Sequence, residues 1–155
     1  MNITILYGTE TGNAEMLAED IGADLENEHD VSIRNLDGFK PVEFDTDRFY
    51  LIICSTYGDG ELPASAQPFA EAMAQSRPDL SAIRFSVFGL GDREYTDTFN
   101  FGSKRLSEIM LGAGARQVGE RIVHDASGAD MSDDIALPWA RHVVALNEHS
   151  RETAL

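Results

Sequence analysis

Short apolar runs and segments of helical period take turns along this chain. Ile3–Tyr7 (ITILY), Val31–Asn35 (VSIRN), Phe49–Ser55 (FYLIICS), Ile83–Gly91 (IRFSVFGLG) and the brief Ala115–Gly119 (ARQVG) read as five strands. The third and fourth are nearly continuous in apolar residues, the pattern of central strands in a parallel sheet covered on both faces. Between them, Leu17, Ile21 and Leu25 recur every four residues after Ala14, with Glu15, Glu19, Asp20, Asp24 and Glu26 on the other faces. Leu106, Ile109, Met110 and Ala113 form a second helical stripe, and Trp139, Val143 and Leu146 a third. Pro63–Ser76 predicts a further helix, weakened near its start by Pro68. Strands alternating with helices imply a doubly wound α/β domain with right-handed crossovers, in which ligands bind outside the carboxyl ends of the strands.

Composition narrows this further. A chain of 155 residues is one ordinary domain, so residues 1–155 are expected to fold as a single unit without staples. The single Cys54 excludes an internal disulfide, and His29, His124, His142 and His149 lack the spacing of a zinc site. No basic leader precedes the first strand, and no apolar run approaches the roughly 18 residues of a membrane span. These features predict a soluble, cytoplasmic protein. Its formal charge of -15 would repel nucleic acid and anionic membranes and attract basic protein partners.

Three loops follow the carboxyl ends of predicted strands one, three and four. The first reads YGTETGNAE, Tyr7 to Glu15. Gly8 and Gly12 relax the backbone at a strand-to-helix turn, while Thr9, Thr11 and Asn13 supply polar side chains beside the free N–H groups of the first helical turn. Such a turn binds an anion through those N–H groups and the helix dipole without needing a lysine. The missing Gly-Lys-Ser/Thr signature points to one monoester phosphate rather than a polyphosphate. Thr and Asn also serve as plain helix caps, which is the bland alternative. The second loop, STYGDGELPASA from Ser55 to Ala66, places Tyr57 beside Gly58 and Gly60. The third, GLGDREYTDTF from Gly89 to Phe99, repeats the theme with Gly89, Gly91 and Tyr95. Each ring loop alone is weak. Together the three describe a planar ring clasped between two tyrosines and tethered by a phosphate.

These loops resemble those of the flavodoxins and of the FMN-binding domains of diflavin reductases, sulfite reductase flavoprotein and nitric oxide synthase, including free-standing members of the MioC-like type. The resemblance covers essentially the whole chain, and GLGDREYTDTFNFGSKRL and GERIVHDASGADMSDDIALPWA extend it to the second ring loop, closing strand and last helix. It implies a flavodoxin-like, five-stranded parallel sheet in the order 2-1-3-4-5 with helices on both faces. The long insertion that splits the fifth strand in long-chain members is not evident, which implies the short-chain type.

On this resemblance FMN is the cofactor. Thr9, Glu10, Thr11, Gly12, Asn13 and Ala14 match the phosphate-binding positions, Glu10 through its backbone. Tyr57 and Tyr95 match the aromatics that sandwich the ring, with Phe99 as a possible substitute for Tyr95. The Gly58–Asp59 peptide matches one that flips as the flavin takes up an electron. Thr56 and Asp92 match contacts to the ring or ribityl edge, and Ser55, Gly60, Leu90 and Gly91 complete the candidate set. Ala14 stands where many relatives carry a hydroxyl, which predicts a weaker phosphate grip. A reduced, anionic flavin stacked on tyrosines near Asp59, Glu61 and Asp92 is destabilised, so the resemblance implies a low-potential, one-electron carrier rather than an enzyme with its own substrate.

The implied partners are a separate basic reductase of the ferredoxin/flavodoxin-NADP type and redox acceptor proteins, met by a monomer, with no nucleic acid or membrane. Asp59, Glu61, Asp92, Glu94 and Asp97 are the candidate docking carboxylates. The competing classes are an FMN-dependent quinone or nitro reductase, which needs extra loops for a substrate pocket, and a phosphoacceptor receiver domain, which needs an aspartate where Ser55 stands. Cys54 and Trp139 read as core, and His124 as part of a polar loop before the last helix.

Overall fold

The computed structural model describes residues 1–9, 12–55, 62–91, 101–125 and 132–153. Five positions of a parallel sheet are filled in the order β2-β1-β3-β4-β5, as expected. The strands are β1 (Asn2–Gly8), β2 (Asp30–Asn35), β3 (Arg48–Ser55), β4 (Arg84–Gly91) and β5 (Arg116–Gln117). A further strand, β6 (Ile122–Asp125), also pairs with β4. The helices are α1 (Asn13–Leu25), α2 (Gln67–Ser76), α3 (Phe101–Gly112) and α4 (Ser132–Thr153).

The continuous apolar run of β3 has a simple cause. Phe49, Leu51 and Ile53 point to one core with α1 and α4, while Tyr50, Ile52 and Cys54 point to the other with α2 and α3. A strand buried on both faces needs apolar residues at both parities. In the first core Phe88 of β4 lies against Trp139 of α4, with ring centroids 5.3 Å apart. In the second, Phe39, Phe44, Tyr50 and Phe69 pack mainly edge to face. At the amino edge Arg48 ties three strands: Nε donates to Thr4 Oγ1 at 2.6 Å, and Nη2 donates to the Ile3 carbonyl and Ser32 Oγ.

Five expectations change. The fifth sheet position is not one strand over Ala115–Gly119 but β5 and β6, separated by Val118–Arg121. Gly119 is left-handed at φ +72° and is followed by Glu120 and Arg121, so both backbone and polarity interrupt the ladder. Ser86 Oγ donates to the Val118 carbonyl and Arg121 Nη1 donates to Ser103 Oγ at 2.9 Å, which pin the break to β4 and α3. His124 accordingly sits buried in β6, not in a loop. Helix α2 begins four residues later than Pro63, with Pro68 in its first turn, where a proline costs no hydrogen bond. Leu146 is 37% exposed, and Ala140 and Val144 join Trp139 and Val143 in the core instead. Asp24, read as solvated, accepts from Arg141 Nε and Nη2 at 2.7 and 2.5 Å, linking α1 to α4 and holding the Asp24 carboxyl below its usual range.

Two helix ends differ in their chemistry. Helix α3 stops on Gly114, left-handed at φ +94°, with Gly114 N–H bonded to the Leu111 carbonyl and Ala115 N–H to that of Met110. Helix α2 stops on Arg77 at φ 44°, the single left-handed residue among the described ones that is not glycine. Glycine is the usual occupant because an L side chain crowds the following carbonyl there.

Candidate functional site

Strand register brings the candidate loops together. Gly8 of β1 is level with Cys54 of β3, and Cys54 with Gly89 of β4; Ser55 pairs with Leu90, and Gly91 with Asp125. The ends of β1, β3, β4 and β6 therefore form one carboxyl edge, from which the phosphate loop and both ring loops depart. Of the candidate residues, Thr9, Gly12, Asn13, Ala14, Ser55, Leu90 and Gly91 are placed on that edge. Glu10, Thr11, Thr56, Tyr57, Gly58, Asp59, Gly60, Asp92, Tyr95 and Phe99 lie outside the described residues.

The phosphate turn is built around one left-handed glycine. Gly12 stands at the start of α1 with φ 97° and ψ -4°, and a Cβ added there would meet no described atom within 4 Å. Its N–H donates to Thr9 Oγ1 at 2.8 Å, and its carbonyl accepts the first helical bond, from Met16 N–H. No side chain among the described residues caps the helix. The N–H groups at Asn13, Ala14 and Glu15 are thus first-turn donors without helical partners, the arrangement that receives an anion. Ala14 packs its methyl fully into the core, so its backbone N–H is the group it brings to the turn. Glu15 places a carboxylate on the first helical turn, and the neutral Tyr7 phenol hydrogen-bonds it without removing its charge. Burial, followed by that bond and the charges of Glu15 and Glu19, raises the Tyr7 phenol pKa.

Two supports were not singled out by sequence. Ser65 Oγ accepts the Thr9 N–H at 2.8 Å while Ser65 N–H donates to the Thr9 carbonyl at 3.4 Å, so the end of the loop after β3 holds the start of the phosphate turn. Gly8 lets these segments approach: an added Cβ would lie 3.0 Å from Ala66 Cβ and 3.2 Å from Leu36 Cδ1. Only the parallel adjacency of β1 and β3 makes Ser65 a neighbour of Thr9. Ser65→Ala would leave the partly buried Thr9 N–H without this acceptor, a loss of about 1 kcal/mol. FMN affinity, followed by quenching of flavin fluorescence, is expected to fall roughly fivefold.

Other candidates take structural roles. Gly89 is a close-packing glycine within β4: an added Cβ would lie 2.3 Å from Ser103 Oγ. Cys54 is fully buried, and burial pushes its thiol pKa far up, so the thiolate is disfavoured. Among the described residues no cluster of His, Cys, Asp or Glu could hold a metal, and no helix is long and apolar enough to cross a membrane.

An open parallel α/β sheet with an uncapped, glycine-started helix at the carboxyl end of β1 defines a mononucleotide-binding domain of the doubly wound class. The sequence profile of the flavodoxin family matches residues 5–139. Protein MioC of Escherichia coli (strain K12) is 36% identical over 138 residues, which cover 89% of this chain and 92% of that protein. The sulfite reductase [NADPH] flavoprotein alpha-component of Bacillus subtilis is 35% identical over 149 residues, 94% of this chain but 24% of that one. A cysteine-to-serine variant of flavodoxin from Pseudomonas aeruginosa superposes with a TM-score of 0.81 at 30% identity, covering 94% of this chain and 98% of that one. This chain belongs to the flavodoxin family, whose members bind FMN and transfer electrons. The turn fits that cofactor: it offers uncharged donors to a monoester phosphate, and the room at Gly12 leaves the approach open.

Proposed function

We propose that residues 1–155 form a single FMN-binding domain that acts as a monomeric, low-potential, one-electron shuttle in the cytoplasm. In this reading it takes electrons from a separate, basic, NADPH-dependent reductase and passes them to acceptor proteins. The observation that carries it is the uncapped start of α1 at Gly12, set on the same sheet edge as the ends of β3 and β4. Bound FMN would supply the redox chemistry.

The chain's own residues would bind and orient it. The Asn13 and Ala14 N–H groups and the Thr9 hydroxyl would hold the phosphate, with Gly12 setting the turn and Glu10 and Thr11 adding contacts. Thr9 Oγ1 already accepts from Gly12, so its own O–H remains to donate outward. Ser55, at the end of β3, donates to the Gly8 carbonyl at 3.4 Å and steadies the junction between phosphate turn and first ring loop. Tyr57 and Tyr95 would stack on the ring, with Phe99 as a substitute for Tyr95. Thr56, Gly58, Asp59, Gly60, Leu90, Gly91 and Asp92 would line its edge. The formal charge of -15 favours a basic partner. The NADPH named for the longer sulfite reductase component, of which this chain matches about a quarter, supports a reductase of that kind as donor.

The test is a visible spectrum recorded during stepwise anaerobic reduction of the FMN-loaded protein. A long-wavelength flavin band that rises and then bleaches is the expected result. Direct bleaching in one two-electron step, or NADPH oxidation by the isolated protein, would replace the shuttle with a quinone or nitro reductase.

A further inference from the structure

The start of α1 carries a side chain that competes with an anion for the same donors. Glu15 is half-buried and is the third residue of the helix, on the turn whose N–H groups at Asn13, Ala14 and Glu15 have no helical partners. A glutamate at this point ordinarily reaches back over the helix start, and the dipole favours its charge there. It would then take the place of an anion. In this protein it does not: no side chain among the described residues caps α1, and the Gly12 N–H is held by Thr9 Oγ1 instead.

What holds Glu15 off is a relay across the sheet edge. Tyr7, the last residue but one of β1, is level with Asn35, the last residue of β2, and the Leu36 N–H donates to the Tyr7 carbonyl at 2.9 Å, which fixes the two strand ends together. Asn35 Oδ1 accepts the Asp37 N–H at 2.9 Å, so the amide nitrogen is the end of Asn35 turned to the Tyr7 phenol. Burial first, then the bond to Glu15 and the charges of Glu15 and Glu19, raise the phenol pKa, while the Asn35 bond acts the other way, as a donor to the phenol oxygen does. The phenol therefore stays protonated. Its oxygen accepts from Asn35, and its one hydrogen goes to the Glu15 carboxylate. Glu15 has no ion pair among the described residues, so no cation there draws it away from Tyr7.

We propose that Tyr7, braced by Asn35, is a positioning residue that holds the Glu15 carboxylate away from the start of α1 and so keeps the helix N–H groups open to the FMN phosphate. This rests on the reading of that turn as the phosphate site. Without the phenol, the carboxylate swings back over the helix start, where it caps the turn and meets the phosphate as a rival of like charge.

The test is a double-mutant cycle on the full chain, with Tyr7→Phe, Glu15→Ala and the two combined, in which FMN and riboflavin affinities are read from flavin fluorescence. Tyr7→Phe should weaken FMN binding about fivefold, the size of one helix cap, and leave riboflavin unchanged. In the Glu15→Ala background the same substitution should leave FMN affinity where it was, because the rival is gone. Asn35→Ala, which spares the packing of Tyr7, should weaken FMN in the same direction and with the same dependence on Glu15. Thermal unfolding of the ligand-free proteins checks that each one folds. A tyrosine that only packs the strand end would weaken both flavins, and by the same factor with or without Glu15; either finding would overturn the proposal and leave the phosphate turn in place. Equal affinity of the unsubstituted protein for FMN and riboflavin would instead remove the phosphate turn itself, and this proposal with it.

Discussion

Replacing Gly89 with alanine is expected to lower the stability of the protein by about 3 kcal/mol, the upper part of the usual range for overpacking a core. Gly89 lies in β4, between Cys54 of β3 and Val123 of β6. A Cβ at this position would come within 2.3 Å of Ser103 Oγ, 2.7 Å of Ser103 Cβ and 3.3 Å of Val123 Cγ2. Rotating the serine hydroxyl relieves only the first contact. The second involves an atom fixed to the backbone of α3, so the helix must move away from the sheet. That movement also stretches the bond from Arg121 to Ser103, which ties α3 to the break between β5 and β6. A loss of this size is a large fraction of the 5–15 kcal/mol that holds an ordinary domain together. In urea it should move the midpoint by about 1–2 M. Adding Ser103→Gly to the alanine variant removes both clashing atoms and should recover part of the loss, less about 1 kcal/mol for glycine in a helix and about as much again for the bond from Arg121 that goes with the serine. An unshifted midpoint for Gly89→Ala would mean that α3 does not approach β4 this closely.

The role of Gly89 also marks where sequence reading stops. Its loop was legible as glycine-rich, and glycine beside an aromatic suggests a ring platform, but nothing local distinguishes that from a strand glycine under a helix. The distinction depends on Ser103, 14 residues later in sequence and on another element. Strand β3 was legible because burial on both faces writes itself as an unbroken apolar run, and α1 because Leu17, Ile21 and Leu25 need only one face. The fifth sheet position was not, because Gly119, Glu120 and Arg121 break the apolar pattern where the sheet itself is interrupted, and the pairing resumes only at Ile122. Leu146 misled for the opposite reason. It keeps helical spacing from Trp139 and Val143, but Ala140, Val144 and Asn147 carry the buried face, and Leu146 lies at its edge. The phosphate turn was legible in its residue types, whereas the bracing of Thr9 by Ser65 follows from chain crossover and was not.

Gly12→Val should weaken FMN binding about 30-fold while leaving riboflavin binding nearly unchanged. Glycine adopts φ 97° freely, whereas an L residue at such an angle is strained by about 2 kcal/mol, and a β-branched side chain suffers most. The space around Gly12 makes the experiment clean: an added Cβ meets no described atom within 4 Å, so the substitution acts on the backbone and not through a clash. Without ligand, the turn can relieve the strain by relaxing, because an uncapped helix start gains little from being held open. Binding a phosphate requires Gly12 to hold the turn so that the Asn13 and Ala14 N–H groups converge again, and the strain then appears in the dissociation constant. A difference of 2 kcal/mol corresponds to about 30-fold. Riboflavin has the same ring and ribityl chain but no phosphate, so the ratio of the two affinities isolates the turn from the ring loops. Both constants can be read from flavin fluorescence, with thermal unfolding of the ligand-free protein as the control for folding. If FMN and riboflavin weaken together, Gly12 serves the ring site or the fold as a whole. If FMN stays tight, the phosphate is held by other groups, and the helix start at Gly12 no longer carries the assignment.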